Sequence, residues 1–547
     1  MLEINIIDGF KNCASFTCGG QEYAVAYDGE LYNSAELRRE LGLASDCPEG
    51  EIFIRAYIKW REACLDKFNG GFALVISELN SGRLFCARDK IGVKQLFYSQ
   101  IGEQFIAAPD IHSILKKVPA EIDSQSVSEI ILIAPGRTPG YSIFKNIAEL
   151  EPGFYGVLDG SFKKYKYWDL RECEHRDNFG QTVERVRELV LDSIGCRLDG
   201  QVCTLLSGGL DSSLITSVAA RYFSERGSKL YAFSVDYRDN AKHFKASKFQ
   251  PESDTAYIEH MKTYLRGEHF QHHYIILDTE QLVSALYEAV EARGLPGMAD
   301  VDASLLLLCG QISNTAALSG EGADEIFGGY PWFRDNDLRE RFGFPWAQST
   351  EFRKTFFNSD FAGLRDSAES YVNERYISVT SSRINNIDER IRELVKLNMK
   401  WFMQTLLERQ NRMARGLKVR APLCDWRVAE YLYNVPWEYK DYNNTEKGLL
   451  RAAVSDLLPE QVLWRKKSPY PKTHNPAYLS AISELLTDII HDSSSPLLKI
   501  ADKQALANLI AFAPDIKFYG QLMNTPQVIS YFVQINHWLS KYNIRII

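Results

Sequence analysis

The spacing of apolar and polar positions changes character along the chain. In the first 170 or so residues it has the short period of strands. Glu22–Tyr27 alternates and ends at Asp28-Gly29, a turn signal. Phe72–Ser77 and Arg83–Ala87 read as strands paired around Asn80-Ser81-Gly82. Gly153–Leu158 and Phe162–Trp168 read as a hairpin around Asp159-Gly160. Asn33–Glu40 reads as a short helix.

Near residue 175 the period lengthens. Val183, Val186, Val190 and Ile194 fall at helical spacing within Thr182–Ile194. Strands are expected at Val202–Leu206, Lys229–Val235, Tyr274–Leu277 and Thr315–Leu318, with helices at Leu214–Phe223, Asp254–Leu265 and Glu280–Ala292. That alternation predicts a parallel sheet covered on both faces. From about residue 347 the pattern is mainly helical and ends in Tyr519–Tyr542. The expected organisation is a β-rich domain over 1–172 and a doubly wound α/β domain with a helical C-terminal part over 173–547.

Composition narrows the class. Of 547 residues, 45% are hydrophobic and 24% charged, ordinary for a globular chain with large cores. A net charge of −8 argues against a nucleic-acid or anionic-membrane binder. The N-terminus, acidic at Glu3 and Asp8, does not read as a secretory signal. The longest apolar runs, such as Ile130–Ala134 and Leu305–Cys309, are far short of the roughly 18 residues that cross a bilayer. Ten scattered cysteines, with no CxxC pair, predict free thiols and a cytoplasmic protein.

Candidate chemistry concentrates in Ser207-Gly208-Gly209-Leu210-Asp211-Ser212-Ser213, between a predicted strand ending at Leu206 and a predicted helix. Glycines let backbone N–H groups close on an anion, serines add donors, and the helix presents its positive end. Phosphate would be repelled by Asp211 unless a Mg²⁺ ion lay between them. The loop is not of the GxxxxGK[ST] type.

SGGLDSS resembles the pyrophosphate loop of ATP pyrophosphatases, which cleave ATP between the α and β phosphates to form an acyl-adenylate. Leu318–Tyr330 (LSGEGADEIFGGY), Arg420–Asp425, Glu446–Arg451 and Trp464–Tyr470 narrow the resemblance to the asparagine synthetase family. The resemblance implies ATP and Mg²⁺, with Asp211 and Asp324 as metal ligands and Asp254 a weaker candidate. It implies adenine near Val235, Ser319 and Gly320, phosphate near Lys447, and Lys467 as the cation at the α-phosphate. It makes Glu321 the acid–base residue for the attacking amine.

The N-terminal part resembles the family's glutaminase domain at Asp28–Asn33, Asn69–Ala73 and Ala87–Lys94. Complete family members use an N-terminal cysteine whose free amine serves as base. Here Leu2 stands there, Cys13 and Cys18 are internal, and Asp28 stands where the family has an oxyanion-stabilising Asn. The expectation is a domain that starts partway in and is degenerate, with no glutaminase nucleophile.

Ahead of Gly416-Leu417 many members carry Asp-Arg-Met-Ser-Met. Aligned without gaps, this chain has Arg409-Gln410-Asn411-Arg412-Met413, and Lys418 replaces a common Glu. Such charge reversal either retunes substrate choice or is a neutral surface swap.

The leading expectation is ATP-dependent asparagine formation from aspartate and ammonia. One rival is the same adenylation on another carboxylate, giving a lactam, macrocycle or amide. Another is a non-catalytic nucleotide-binding protein. The resemblance leaves room for an ammonia-delivering or substrate-presenting partner protein and for a homodimer.

Overall fold

In the N-terminal part, period-two alternation is realised as a sheet with two different faces. In the computed structural model, which describes residues 4–6, 9–102, 104–244, 252–380 and 383–547, Gly70–Glu78 pairs antiparallel with both Gln21–Leu31 and Arg83–Arg88. Phe72, Leu74 and Ile76 enter one core, shared with Phe53 and Tyr57 of the helix Glu49–Trp60. Ala73 and Val75 enter a second core with Phe105 and Leu150. Successive side chains thus feed opposite layers, as a pleated strand requires. The six-stranded antiparallel sheet continues through the hairpin Phe154–Asp159 and Ser161–Lys166. A four-stranded sheet, including Phe97–Ile101 and Gln104–Ala108, completes the layers. The expected helix at residues 33–40 is Ser34–Leu41.

Asp89 organises one end of this unit. Its buried carboxylate accepts backbone N–H groups of Phe72, Ile91, Gly92, Val93 and Lys94 at 2.7–3.2 Å. Asp28 lies 3.5 Å from Lys94. Cys13 is exposed and Cys18 half-buried on the strand Asn12–Cys18. Leu2 lies outside the described residues.

The chain divides into two compact units. One comprises Met1–Ser126, Arg137–Arg171 and Arg545–Ile547, the other Val127–Gly136 and Glu172–Ile544. The second unit is built on five parallel strands: β1 (Val202–Leu205), β2 (Leu230–Tyr237), β3 (Phe270–Leu277), β4 (Ala316–Leu318) and β5 (Lys418–Arg420). Their spatial order is β3-β2-β1-β4-β5. The chain winds outward from β1 in one direction and then returns to β1's other side. That leaves a crevice between the C-terminal ends of β1 and β4, where open α/β sheets bind ligands.

Helix Leu210–Ser224 follows β1, and helix Asp254–Tyr264 connects β2 to β3. The terminal helix is shorter than its apolar pattern predicts. It runs Thr525–Lys541, because Asn524 and Gln527 form a reciprocal capping box and Pro526 lies in the first turn. Strand β5, with only three residues, carries too little pattern to be recognised from sequence. All ten cysteines are free thiols. Among the described residues no helix is long and apolar enough to cross a membrane.

Candidate functional site

The crevice holds a cavity of about 200 Å³. Its sheet side is formed by residues leaving β1 and β4. After β1 come Leu206, Ser207, Gly209, Asp211 and Ser212; after β4 come Ser319, Gly320, Glu321 and Asp324. Val235 of β2 joins them, as do Lys447 and Lys467 from distant segments. Residues more than 250 positions apart in sequence thus reach one cavity.

Two expected loop residues do not line it. Ser213 is fully buried, one position into the helix beyond Ser212. Gly208 acts through backbone shape: its φ is +70°, and a Cβ there would come within 3.0 Å of the Ile258 nitrogen and 2.9 Å of Tyr257 Cβ. Only glycine takes both the left-handed conformation and the close approach without strain. Ser207 and Ser212 brace the loop, with Oγ atoms 2.9 Å apart and the Ser207 N–H donating to Ser212 Oγ at 3.1 Å. The helix Leu210–Ser224 begins here, with its unpaired N–H groups at the same end.

A compact charge cluster closes the far side. Lys447 Nζ lies 2.5 Å from Asp211 and 2.6 Å from Asp324. Lys467 Nζ lies 2.6 Å from the other oxygen of Asp324. Burial alone would push the Asp324 carboxyl up, but the two ammonium groups outweigh it and hold the value at about 2. Burial opposes the charge on Lys467, yet Asp324 and the neighbouring carboxylates raise its value well above the ordinary lysine range. Lys447 holds a left-handed φ of +55°, unusual for a residue with a side chain, at the start of helix Gly448–Ala453. Gly329 makes room for the pair: a Cβ there would stand 2.0 Å from Asp324 Oδ1 and 2.4 Å from Lys447 Cε.

Asp211 and Asp324 are the residues of this cluster that would hold a divalent cation. Both converge on one bridging cation, the Lys447 ammonium, and Asp211 Oδ1 is buried without a hydrogen-bond partner among the described residues. Two carboxylates suit Mg²⁺, which takes its remaining oxygens from phosphates and water. The weaker candidate, Asp254, is otherwise engaged. It pairs with Arg465, and burial raises its carboxyl above the usual range.

Glu321 enters the cavity between Gly320 and Gly322. Burial raises its carboxyl above the ordinary value, and the nearby cations of Arg409 and Lys467 oppose that rise. The Arg409 Nη1 lies 3.6 Å from Glu321 Oε1. Arg409 is itself fixed: Nη2 donates to the Val301 carbonyl at 2.7 Å, Nε lies 3.1 Å from Asp302, and the guanidinium sits 4.3 Å from the Tyr470 ring centre. Behind it Arg293 pairs with Glu408 at 2.8 Å. The departure at Arg409 is therefore no surface swap. Lys418, at the start of β5, is exposed.

Sequence reasoning missed Arg465 and Arg451. Arg465 donates to the Ser207 carbonyl at 3.2 Å and lies 4.2 Å from the Tyr257 ring centre, tying the basic segment to the glycine loop. Arg451 donates to the Glu446 and Arg465 carbonyls at 2.7 and 2.9 Å. Glu446 accepts the Lys467 N–H at 2.8 Å, so the motifs around 446–451 and 464–470 hold each other. The basic run Arg465-Lys466-Lys467 was the available signal, but the charges alone did not say that Arg465 holds the glycine loop.

Comparison with known proteins matches this arrangement. The family described as asparagine synthase matches residues 185–540, and the glutamine amidotransferase domain matches residues 6–168. The chain is 41% identical to glutamine-hydrolyzing asparagine synthetase 3 of Bacillus subtilis (strain 168), over 99% of this chain and 91% of that protein. It is 26% identical to glutamine-hydrolyzing asparagine synthetase 1 of the same organism, over 90% of this chain and 82% of that one. It is 25% identical to amidase chry2 of Gibberella zeae, over 84% and 79% respectively. The chain thus belongs to the asparagine synthase family and is a carbon–nitrogen ligase with an N-terminal glutamine amidotransferase-like domain.

Proposed function

We propose that this protein joins nitrogen to the side-chain carboxylate of aspartate, through an aspartyl-adenylate, with AMP and pyrophosphate as the other products. The observation that carries the reading is the convergence of Asp211, Asp324, Lys447 and Lys467 beside Glu321 at the glycine loop. The loop N–H groups and the helix N-terminus suit a pyrophosphate leaving group. Lys467 is the charge-stabilising group for the α-phosphate, where negative charge builds during adenylation. Held by Asp211 and Asp324, Mg²⁺ would neutralise the polyphosphate. Glu321 then takes a proton from the attacking amine as AMP leaves, a task suited to a carboxylate whose affinity for protons is raised.

Ammonia is the nitrogen source we favour. Asp28 stands where the resemblance expects a neutral amide, and a carboxylate there opposes an oxyanion. The match of residues 6–168 to a glutamine amidotransferase domain supports glutamine as the second reading. Asparagine formation with ammonium chloride, and separately with glutamine as the sole nitrogen source, separates the two. Product with ammonium alone supports the first reading; equal or faster product from glutamine overturns it.

A further inference from the structure

The helical wall of the cavity carries a polar side chain without a hydrogen-bond partner among the described residues. Helix Met403–Met413 turns Leu406, Arg409 and Gln410 toward the cavity, at the i, i+3 and i+4 spacing of one face. Gln410 is only 2% exposed, and neither its Oε1 nor its Nε2 has a hydrogen-bond partner. Buried amides are almost always paired, so this one calls for a ligand. Beside it, Arg409 is anchored through Nη2 while Nη1 stops 3.6 Å from Glu321, beyond hydrogen-bond length.

Together the two side chains offer a cationic donor, a neutral donor and a neutral acceptor. That set matches the head of an α-amino acid. The carboxylate accepts from Arg409 Nη1 and Gln410 Nε2, and the ammonium donates to Gln410 Oε1. Resting on the amide-ligase reading above, we infer that Gln410, paired with Arg409, is a specificity-determining residue that recognises the α-amino-acid head of the acyl substrate. The substrate class is then an α-amino dicarboxylic acid. A dicarboxylic acid without the amine leaves Oε1 buried and unpaired, and sites built on such a bond reject the deficient analogue strongly. The position of Gln410 favours this ligand over the adenine edge. Its chain neighbour Arg409 stands 3.6 Å from Glu321, where the acyl group must lie, whereas Val235, a residue expected at adenine, sits on β2.

The test compares wild-type protein with Gln410→Leu and Gln410→Glu in pyrophosphate release with ammonium chloride, using aspartate and succinate as substrates. Wild-type protein should prefer aspartate by at least about a hundredfold in kcat/KM. In Gln410→Leu, KM for aspartate should rise about tenfold or more and the preference over succinate should shrink by a similar factor, while KM for ATP stays within about twofold. The unchanged KM for ATP also reports an intact fold. Gln410→Glu keeps an acceptor but adds a charge, so it should weaken aspartate further than the leucine variant. Unchanged aspartate kinetics in both variants, or a rise in KM for ATP alone, overturns the assignment and leaves the ligase reading standing. Wild-type protein that releases no pyrophosphate with aspartate overturns that reading and this inference with it.

Discussion

The ammonium of Lys447 stands 2.6 Å from Asp324, and its second partner is Asp211 at 2.5 Å. Lys447 thus bridges the two carboxylates that the glycine loop and the turn after β4 bring together, and Lys467 supplies the second positive charge. Lys447→Met removes the bridge and leaves Asp211 facing Asp324 with only Lys467 to offset them. The variant should melt lower than wild type, and Mg²⁺ should raise its Tm by several degrees more than it raises that of wild type. Thermal denaturation in MgCl₂ against NaCl of equal ionic strength reads the difference. An equal response in both proteins would place the metal elsewhere.

The same cluster predicts an acid limit. Lysines hold Asp324 at about 2, below the ordinary carboxylate range. The folded value is depressed, so the stabilisation is present above roughly pH 4 and is lost as pH falls toward 2. Asp324→Asn should therefore lower stability at pH 7 and narrow its gap to wild type as the solution is acidified, measured by urea unfolding across that window.

Gly329→Ala tests crowding rather than backbone strain, because Gly329 is not left-handed. The added methyl would meet Asp324 Oδ1 at 2.0 Å and Lys447 Cε at 2.4 Å. Overpacking of this kind costs about 1–3 kcal/mol. Ligase turnover should fall at least about tenfold, and Tm should drop by a few degrees. Wild-type rates would mean that the Asp324–Lys447 geometry is not needed.

Glu321 predicts a separation of steps. Glu321→Gln should keep substrate-dependent exchange of pyrophosphate into ATP and lose about 10²–10⁴-fold in amide formation. Burial raises the Glu321 carboxyl, and the base is its ionised form, so amide formation falls as pH drops through that raised value. The Arg409 cation lowers it, so Arg409→Leu should move the acidic limb of the pH–rate profile upward. A downward shift would contradict the contact.

Lys440 offers a prediction remote from chemistry. It is 1% exposed, its ammonium has no hydrogen-bond partner among the described residues, and burial pulls its value down to about 7. A depressed lysine means that the unfolded chain binds the extra proton between about pH 7 and 10, so stability rises with pH there. Lys440→Met should raise Tm at pH 7 and raise it much less at pH 10, by calorimetry.

Much of the site was legible because its chemistry is local. Residues 207–213 and 318–330 each lead from a strand end into a helix, and such connections declare themselves through glycine, serine and acidic residues. The sheet was legible through the alternation of apolar strands and amphipathic helices. Arg465 and Gln410 were not, because their roles depend on groups that only the fold brings near them. Arg465 matters through Ser207 and Asp254, and Gln410 through the cavity it faces. Arg409 stood out in sequence as an anomaly of charge. Only the packing against Tyr470 and Asp302 shows that it is buried beside Glu321.

The most direct test of the adenylate follows the oxygen of the carboxylate. Aspartate labelled with ¹⁸O in its side-chain carboxylate, turned over with ATP, Mg²⁺ and ammonium chloride, should transfer one labelled oxygen to AMP, with pyrophosphate and asparagine formed in equal amounts. Label appearing in inorganic phosphate with ADP as the nucleotide product, or AMP free of label, would contradict the account.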